Sequence, residues 1–253
     1  MGKLENKVAI ITGATGGIGA AMAEEFAKEG ADVVVVGTNA ERGKKTVDAV
    51  TAAGRKAFFR KTDLTSTADL QGLIDDAMNE FGRIDILVNN AGADDPITWT
   101  PADVTEEEYD RVMAVNTKVP FFLGQKVAPI MKEQGGGAII NIGSIASTGA
   151  GRGPIIYTIS KHAILGVTRE LAYYLGHDNI RVNCIEPGYI ATRMVAEAMK
   201  DDSIPFVPMV KSSPAGRAGE PKEIARVAVF LASDDASFMH GAEVCPDGGF
   251  TLI

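Results

Sequence analysis

Short apolar runs with little polar interruption alternate with stretches of helical period from one end of the chain to the other. Residues 7–12 read Lys-Val-Ala-Ile-Ile-Thr, and residues 33–36 are four consecutive valines. Such runs lack the inside–outside alternation of a strand with one wet face, and predict strands buried on both sides of a parallel sheet. Further strands are predicted at 56–61, 84–88, 138–142, 181–185 and 243–245. Amphipathic helices fall between them. One passes through Met22, Phe26 and Ala27 and stops at Gly30; another covers 41–53; a third runs from Thr65 or Ser66 to Phe81. Thr105-Glu106-Glu107-Glu108 resembles a capping box for a helix carrying Asn116, and the helix with Tyr157 ends near Gly176. Strand and helix alternating over 1–253 predict one α/β domain, a doubly wound parallel sheet of about seven strands with helices on both faces. Residues 193–214 break the pattern, with Pro205 and Pro208 interrupting any long helix, and are expected to form a lid.

Two places carry candidate chemistry. The first strand breaks into Gly13-Ala14-Thr15-Gly16-Gly17-Ile18-Gly19 and opens directly into a helix. A strand, a glycine turn and a helix N-terminus together suit a pyrophosphate, since the backbone comes close and the first N–H groups are free. The fifth strand ends in a hydroxyl at Ser144, and Tyr157 and Lys161 follow four residues apart, on one face of a helix. An ammonium one turn from a phenol is expected to pull its pKa down and fit it to exchange protons near neutrality.

Bulk properties narrow the partners. With 253 residues, 45% of them hydrophobic and 23% charged, the composition is that of an ordinary globular protein. A net charge of −8 argues against nucleic acid and against anionic membrane surfaces. Residues 1–6 lack the basic and apolar regions of a secretory leader, Gly2 lacks the hydroxyl residue at position six that myristoylation needs, and no apolar run is long enough to span a membrane. A cytoplasmic location is therefore expected. Cys184 and Cys245, both on predicted strands, are expected to be buried reduced thiols. No cluster has metal-ligand spacing, so no metal is expected.

Taken together, Thr12 to Gly19, Asn89-Asn90-Ala91-Gly92, Asn116, Ser144, Tyr157-Thr158-Ile159-Ser160-Lys161 and Pro187-Gly188 resemble the short-chain dehydrogenase/reductase family over essentially the whole chain. The glycines fit two branches of that family: Gly13, Gly16 and Gly19 the longer epimerase-like one, Gly13, Gly17 and Gly19 the shorter reductases. Chain length, the Asn-Asn-Ala-Gly segment and Asn116 favour the shorter branch. The resemblance implies a Rossmann fold, a nicotinamide cofactor and hydride transfer between a ketone and a secondary alcohol. It implies that Tyr157 is the general acid or base, that Lys161 tunes it and holds the nicotinamide ribose, and that Ser144 polarises the carbonyl. Asn116 is implied to hold a water that links Lys161 to solvent.

Cofactor contacts are expected from Gly13, Thr15, Gly16, Gly17, Ile18, Gly19, Asp63, Leu64, Asn90, Ala91 and Gly92, and from Tyr157, Lys161, Pro187, Gly188, Ile190 and Thr192. The second strand ends at Gly37, where an NAD-preferring site holds a carboxylate. Thr38, Asn39 and Arg42 follow as possible donors to a 2′-phosphate, and NADP is favoured over NAD. Ser144, Ile145, Arg152, Ile156 and Tyr189 are expected to line the substrate site, with Asp94-Asp95 either rimming it or forming a turn before Pro96. His162 lies about 100° around the helix from Lys161 and is read as structural. Acyl-carrier-protein reductases grip their acidic partner with two basic residues, and those places hold Gly135 and Asp178 here. The expected substrate is a small-to-medium ketone, sugar acid, polyol or free 3-oxoacyl compound; a hydroxysteroid and a non-catalytic nucleotide-binding role are the alternatives. The family resemblance implies a homotetramer.

Overall fold

A computed structural model describes residues 2–94 and 100–252, with only the backbone at position 194. Seven strands form one sheet: β1 (Val8–Ile11), β2 (Asp32–Gly37), β3 (Ala57–Lys61), β4 (Ile86–Asn89), β5 (Gly137–Ile142), β6 (Ile180–Ile185) and β7 (Glu243–Val244). Their order is β3-β2-β1-β4-β5-β6-β7, and every neighbouring pair is parallel. The order reverses between β1 and β4, which leaves a crevice at the carboxyl ends of those strands.

Successive residues of a strand point to opposite faces, and the two cores divide accordingly. Ile11, Val33, Val35 and Val88 pack with α1 (Gly17–Lys28), α2 (Ala40–Ala52) and α9 (Pro221–Ala232). Ile10, Val34, Val36 and Leu87 pack on the other side with α3 (Thr67–Phe81), α5 (Val119–Glu133) and α6 (Ile155–Leu175). All four residues of β1 are buried, which is why the sequence shows no polar alternation there.

Local rules explain the helix ends. Ser66 is the N-cap of α3, accepting from the Asp69 N–H, and Thr105 caps α4 (Glu106–Met113) by accepting from the Glu108 N–H. Asn116 lies beyond α4, in a π-helical turn, Ala114–Lys118, that joins α4 to α5. Such turns re-aim side chains and recur at functional sites. The proline-broken segment contains two short helices, α7 (Arg193–Ala198) and α8 (Phe206–Ser212). Pro208 does not interrupt α8, because it sits in the first turn, where no intrahelical N–H bond is lost. Within this segment Val207 and Val210 are buried, while Met209 is exposed.

The second cysteine departs from expectation. Cys184 is buried within β6, but β7 ends at Val244 and Cys245 is exposed. A two-residue edge strand cannot enclose the residue that follows it. Among the described residues no helix is long and apolar enough to cross a membrane, and no three His, Cys, Asp or Glu side chains stand together as a metal site.

Candidate active site

The glycine turn resolves the spacing that the sequence leaves open. Gly13 and Gly17 adopt φ of 67° and 54°, the left-handed region that favours glycine. A Cβ on Gly19 would come within 2.5 Å of the Gly13 carbonyl and the Asn90 amide. Gly16 is extended and has open space around it. The constrained positions are 13, 17 and 19, the pattern of the shorter branch. Asn90 explains the tightness: its Nδ2 donates to the carbonyls of Thr12 and Gly13, while Thr12 Oγ1 accepts from the Asn90 and Ala91 N–H groups.

Beside this turn lies a cleft of about 700 Å³ along the carboxyl ends of β1 to β4. Gly13, Thr15, Thr38, Asp63, Leu64, Asn90, Ala91 and Gly92 line it, all of them anticipated. Asp63 is held in a tight turn by the Thr65 N–H and hydroxyl, and those bonds lower its pKa. Lys61, Thr62 and Val115 also line the cleft and were not anticipated. The signal for Lys61 was available in the topology, since it pairs with Gly37 across the parallel ladder, at the end of the adjacent strand. Asn39 and Arg42 do not line the cleft. Asn39 caps α2 instead, its Oδ1 accepting from the Arg42 N–H.

A second hollow, of about 490 Å³, opens at the carboxyl ends of β5 and β6. Its walls include Ser144, Ile145, Arg152, Tyr157, Gly188, Tyr189, Ile190 and Thr192, together with Asp94, Val195 and Phe206. Asp94 thus belongs to the rim; Asp95 and Pro96 lie outside the described residues. Tyr189 and Phe206 stack with ring centroids 4.6 Å apart and form an aromatic wall. Arg152 is pinned by Nη1, which donates to the Ile145 carbonyl and the Thr148 hydroxyl. Ile156 does not belong here. It is fully buried, because one residue along a helix is about 100° of rotation and turns it away from Tyr157 into the core. Pro187 also stands behind the wall, its carbonyl accepting from the Ile145 N–H. Thr192 lies over the start of α1, with its methyl 3.2 Å from where a Cβ on Gly17 would be.

Ser144, Tyr157 and Lys161 come together as the spacing requires, although their charge balance differs from expectation. Ser144 Oγ accepts from the Ala146 N–H, and its hydroxyl shares the wall of the hollow with the Tyr157 phenol, whose pKa it lowers. Lys161 Nζ is 5.4 Å from the centre of the Tyr157 ring and donates to the Ile142 carbonyl. Burial pulls the Lys161 ammonium down to about 8. Burial also raises the Tyr157 pKa, against a lowering by Ser144 and with a further rise from Asp94. The expected depression by Lys161 is therefore absent from the protein alone: desolvation of the phenolate outweighs an ammonium that is itself desolvated and turned toward a carbonyl.

Asn116 is committed to structure on three sides. Its Oδ1 accepts from the Ala93 N–H, and its Nδ2 donates to the Ala93 carbonyl and to Ser160 Oγ. Ser160 Oγ in turn donates to the Tyr157 carbonyl, which ties the π turn to the first turn of α6. His162 is exposed on the helix, its ring bonded to the Thr158 carbonyl, consistent with a structural role.

A family model described as Enoyl-(Acyl carrier protein) reductase matches residues 13–251. The chain belongs to the short-chain dehydrogenase/reductase family. It is 37% identical to cyclohexanol dehydrogenase of Acinetobacter sp. (strain SE19) over 98% of this chain and 96% of that one. It is 39% identical to 2-dehydro-3-deoxy-D-gluconate 5-dehydrogenase of Dickeya dadantii (strain 3937), over 98% and 96%. Among solved structures, 7α-hydroxysteroid dehydrogenase complexed with NADH and 7-oxo glycochenodeoxycholic acid superposes with a TM-score of 0.91. That chain is 39% identical, with 97% of this chain and 94% of that one covered. This short-chain dehydrogenase/reductase is an NAD(P)-dependent oxidoreductase that interconverts ketones and secondary alcohols.

Proposed function

We propose that the chain reduces a small-to-medium ketone, or oxidises the matching secondary alcohol, with Ser144, Tyr157, Lys161 and Asn116 as its machinery. The observation that carries this reading is that Ser144 and Tyr157 line one 490 Å³ hollow, next to the glycine cleft. The nicotinamide, when bound, gives or takes the hydride. The protein supplies position and protons. Ser144 donates to the substrate oxygen and orients it, and Tyr157 gives that oxygen a proton in reduction or takes one in oxidation. Lys161, whose Nζ lies one turn from the phenol, would hold the nicotinamide ribose hydroxyls. Asn116 fixes Ser160 and the start of α6, with only oxygen lone pairs left for a water.

The cleft fits a dinucleotide. Its glycine turn has no Cβ to block a close approach, α1 offers free N–H groups at Gly17, Ile18 and Gly19, and no carboxylate stands at Gly37. Thr15 covers Gly37, with its methyl 2.5 Å from where a Cβ would be, which disfavours any larger residue there. We infer a preference for NADP over NAD on this basis, with Thr38 and Lys61 as the donors to the 2′-phosphate. Lys61→Ala is expected to lower kcat/KM for NADPH about tenfold, the size of one charge-assisted contact, and to leave NADH within twofold. Equal loss with both cofactors would remove Lys61 from that role. A kcat/KM ratio of NADPH to NADH well below one in the parent enzyme would remove the preference itself.

The hollow is mostly apolar, through Ile145, Tyr189, Ile190, Val195 and Phe206, with Arg152 and Asp94 as its charged groups. That favours a compact cyclic or aliphatic ketone, with Arg152 available to a carboxylate. A hydroxysteroid is the second reading, favoured by the stacked Tyr189–Phe206 wall. A panel of cyclohexanone, a keto sugar acid and a 7-oxo bile acid, followed by NADPH and NADH absorbance, separates them. No oxidation with any ketone would overturn the reading. The exposed Phe121, Phe122, Tyr173, Tyr174 and Phe238 support a homotetramer, and the net charge of −8 suits a cytoplasmic location. Residues 193–214 act as the lid of a single domain.

A further inference from the structure

The turn that follows Ser144 closes without Arg152. The Ile145 carbonyl already accepts from the Thr148 N–H at 3.4 Å and from Thr148 Oγ1 at 3.1 Å. Arg152 adds a further bond to that carbonyl, from Nη1 at 3.3 Å, and one from the same nitrogen to Thr148 Oγ1 at 2.9 Å. Both protons of Nη1 are thereby used. Those of Nε and Nη2 are not: among the described residues they meet no acceptor, and no carboxylate pairs with the guanidinium. Nε and Nη2 share one edge, with two parallel N–H groups spaced to take both oxygens of a carboxylate.

Gly149 backs the guanidinium. A Cβ on Gly149 would stand 3.1 Å from both Cζ and Nε of Arg152 and 3.4 Å from its Nη1. Gly149 is not among the glycines with left-handed φ, so it is small for room and not for backbone freedom. The arginine is thus pinned at one nitrogen, backed by a glycine and open along one edge. It lines the hollow together with Ser144 and Tyr157, and the carbonyl it holds belongs to the residue directly after Ser144. Among the described residues, Asp94 is the only other charged side chain that lines the hollow, and it makes no ion pair with Arg152. The other walls are mostly apolar, so a bound substrate strips water from this half-buried cation where the protein offers no counter-ion. The counter-ion is left to the substrate.

We propose that Arg152 is a specificity-determining residue whose open Nε–Nη2 edge takes a carboxylate of the substrate, so that the preferred ketone is an oxo acid as the free carboxylate, ahead of its ester or a neutral ketone. This deepens the ketone reading of the hollow and rests on it. A charge-assisted fork supplies about 10–100-fold discrimination against an analogue without the charge, because the guanidinium is then covered with no partner. Since the guanidinium bonds the residue next to Ser144, the carboxylate belongs a few carbons from the reacting carbonyl.

Steady-state kinetics with 4-oxopentanoate, 3-oxocyclohexanecarboxylate and 4-oxocyclohexanecarboxylate, each against its own methyl ester, test this. The parent enzyme is expected to favour the best acid over its ester by about thirtyfold in kcat/KM, mostly through KM. Arg152→Met should bring that ratio to about one, and Arg152→Lys, which keeps the charge and loses the fork, to about fivefold. Gly149→Ala, pressing on the guanidinium from behind, should lower it about threefold. A second arm needs no turnover: the NADPH complex is titrated by calorimetry with cyclohexanecarboxylate and with cyclohexanecarboxamide. The carboxylate should bind about tenfold more tightly, and Arg152→Met should erase the difference. A ratio near one in the parent, a ratio that survives Arg152→Met, or carboxylate and amide bound alike would overturn the inference. Turnover of cyclohexanone and the esters with no preference for acids removes only the carboxylate contact. No NADPH oxidation with any ketone removes the ketone reading, and the titration then still decides whether Arg152 holds a carboxylate.

Discussion

Tyr157→Phe is expected to abolish turnover while leaving cofactor affinity within about twofold. Proton transfer by a positioned group contributes about 10²–10⁴-fold. The loss here should sit at or above the top of that range, because among the described residues no other phenol or imidazole lines the hollow apart from Tyr189. Tyr189 cannot substitute, since its ring is stacked on Phe206 and packed edge-on against Phe250. Tyr157 is not among the residues that line the dinucleotide cleft, so NADPH binding should survive. In the protein alone burial raises the phenol's pKa, which keeps it protonated and ready to donate in reduction. Oxidation requires the phenolate, and there the positive ring of the oxidised cofactor is expected to add what Lys161 does not provide. Near-parent kcat in Tyr157→Phe, with the fold intact by circular dichroism, would remove the phenol from the chemistry.

Lys161→Met is expected to lower kcat at least a hundredfold and, unusually for a catalytic substitution, to raise the melting temperature of the cofactor-free protein. A fall in pKa from 10.5 to about 8 corresponds to about 3 kcal/mol of penalty on the buried ammonium. Met removes that penalty and keeps the apolar stem. It leaves the Ile142 carbonyl without its donor, which costs about 1–2 kcal/mol. The surplus is about 1–2 kcal/mol, or about 2–8 °C for a domain of this size. The sign with pH follows from linkage. Between about 8 and 10.5 the unfolded chain binds the proton that the folded chain has lost, so the parent gains stability as pH rises through that window. The variant has no such gain. Its advantage should be full below pH 7 and fade above pH 8, as read by differential scanning calorimetry across pH 6–9.5; a lower melting temperature at pH 6 would contradict the burial argument.

The sheet was legible because both of its faces are covered: β1, β2 and β4 are near-continuous apolar runs that suit a sheet buried on both sides. The glycine turn, Ser144, Tyr157 and Lys161 were legible from spacing, and the structure brings them to one end of the sheet. Spacing shows which groups meet. It does not show what burial does to their charges, and so the direction of the Tyr157 shift in the free protein was misjudged. Ile156 was misplaced because adjacency in sequence is not adjacency on a helix. Asn39 was taken for a ligand donor because the residue type suits both a phosphate and a helix cap, and only the position of the α2 start decides between them. Lys61 required the register of β3 on β2, which no local pattern encodes. Pro205 and Pro208 did mark a segment without a long helix: α8 has seven residues, with Pro205 as its N-cap and Pro208 in its first turn.

Hydride transfer itself is open to one direct measurement. NADPH carrying deuterium at both C4 positions of the nicotinamide, incubated with the enzyme and the best panel ketone, should yield an alcohol one mass unit heavier, with the label on the carbinol carbon, and Tyr157→Phe should yield none above background. An unlabelled alcohol from the parent enzyme, or NADPH consumed with no alcohol formed, would contradict the chemistry assigned to this site.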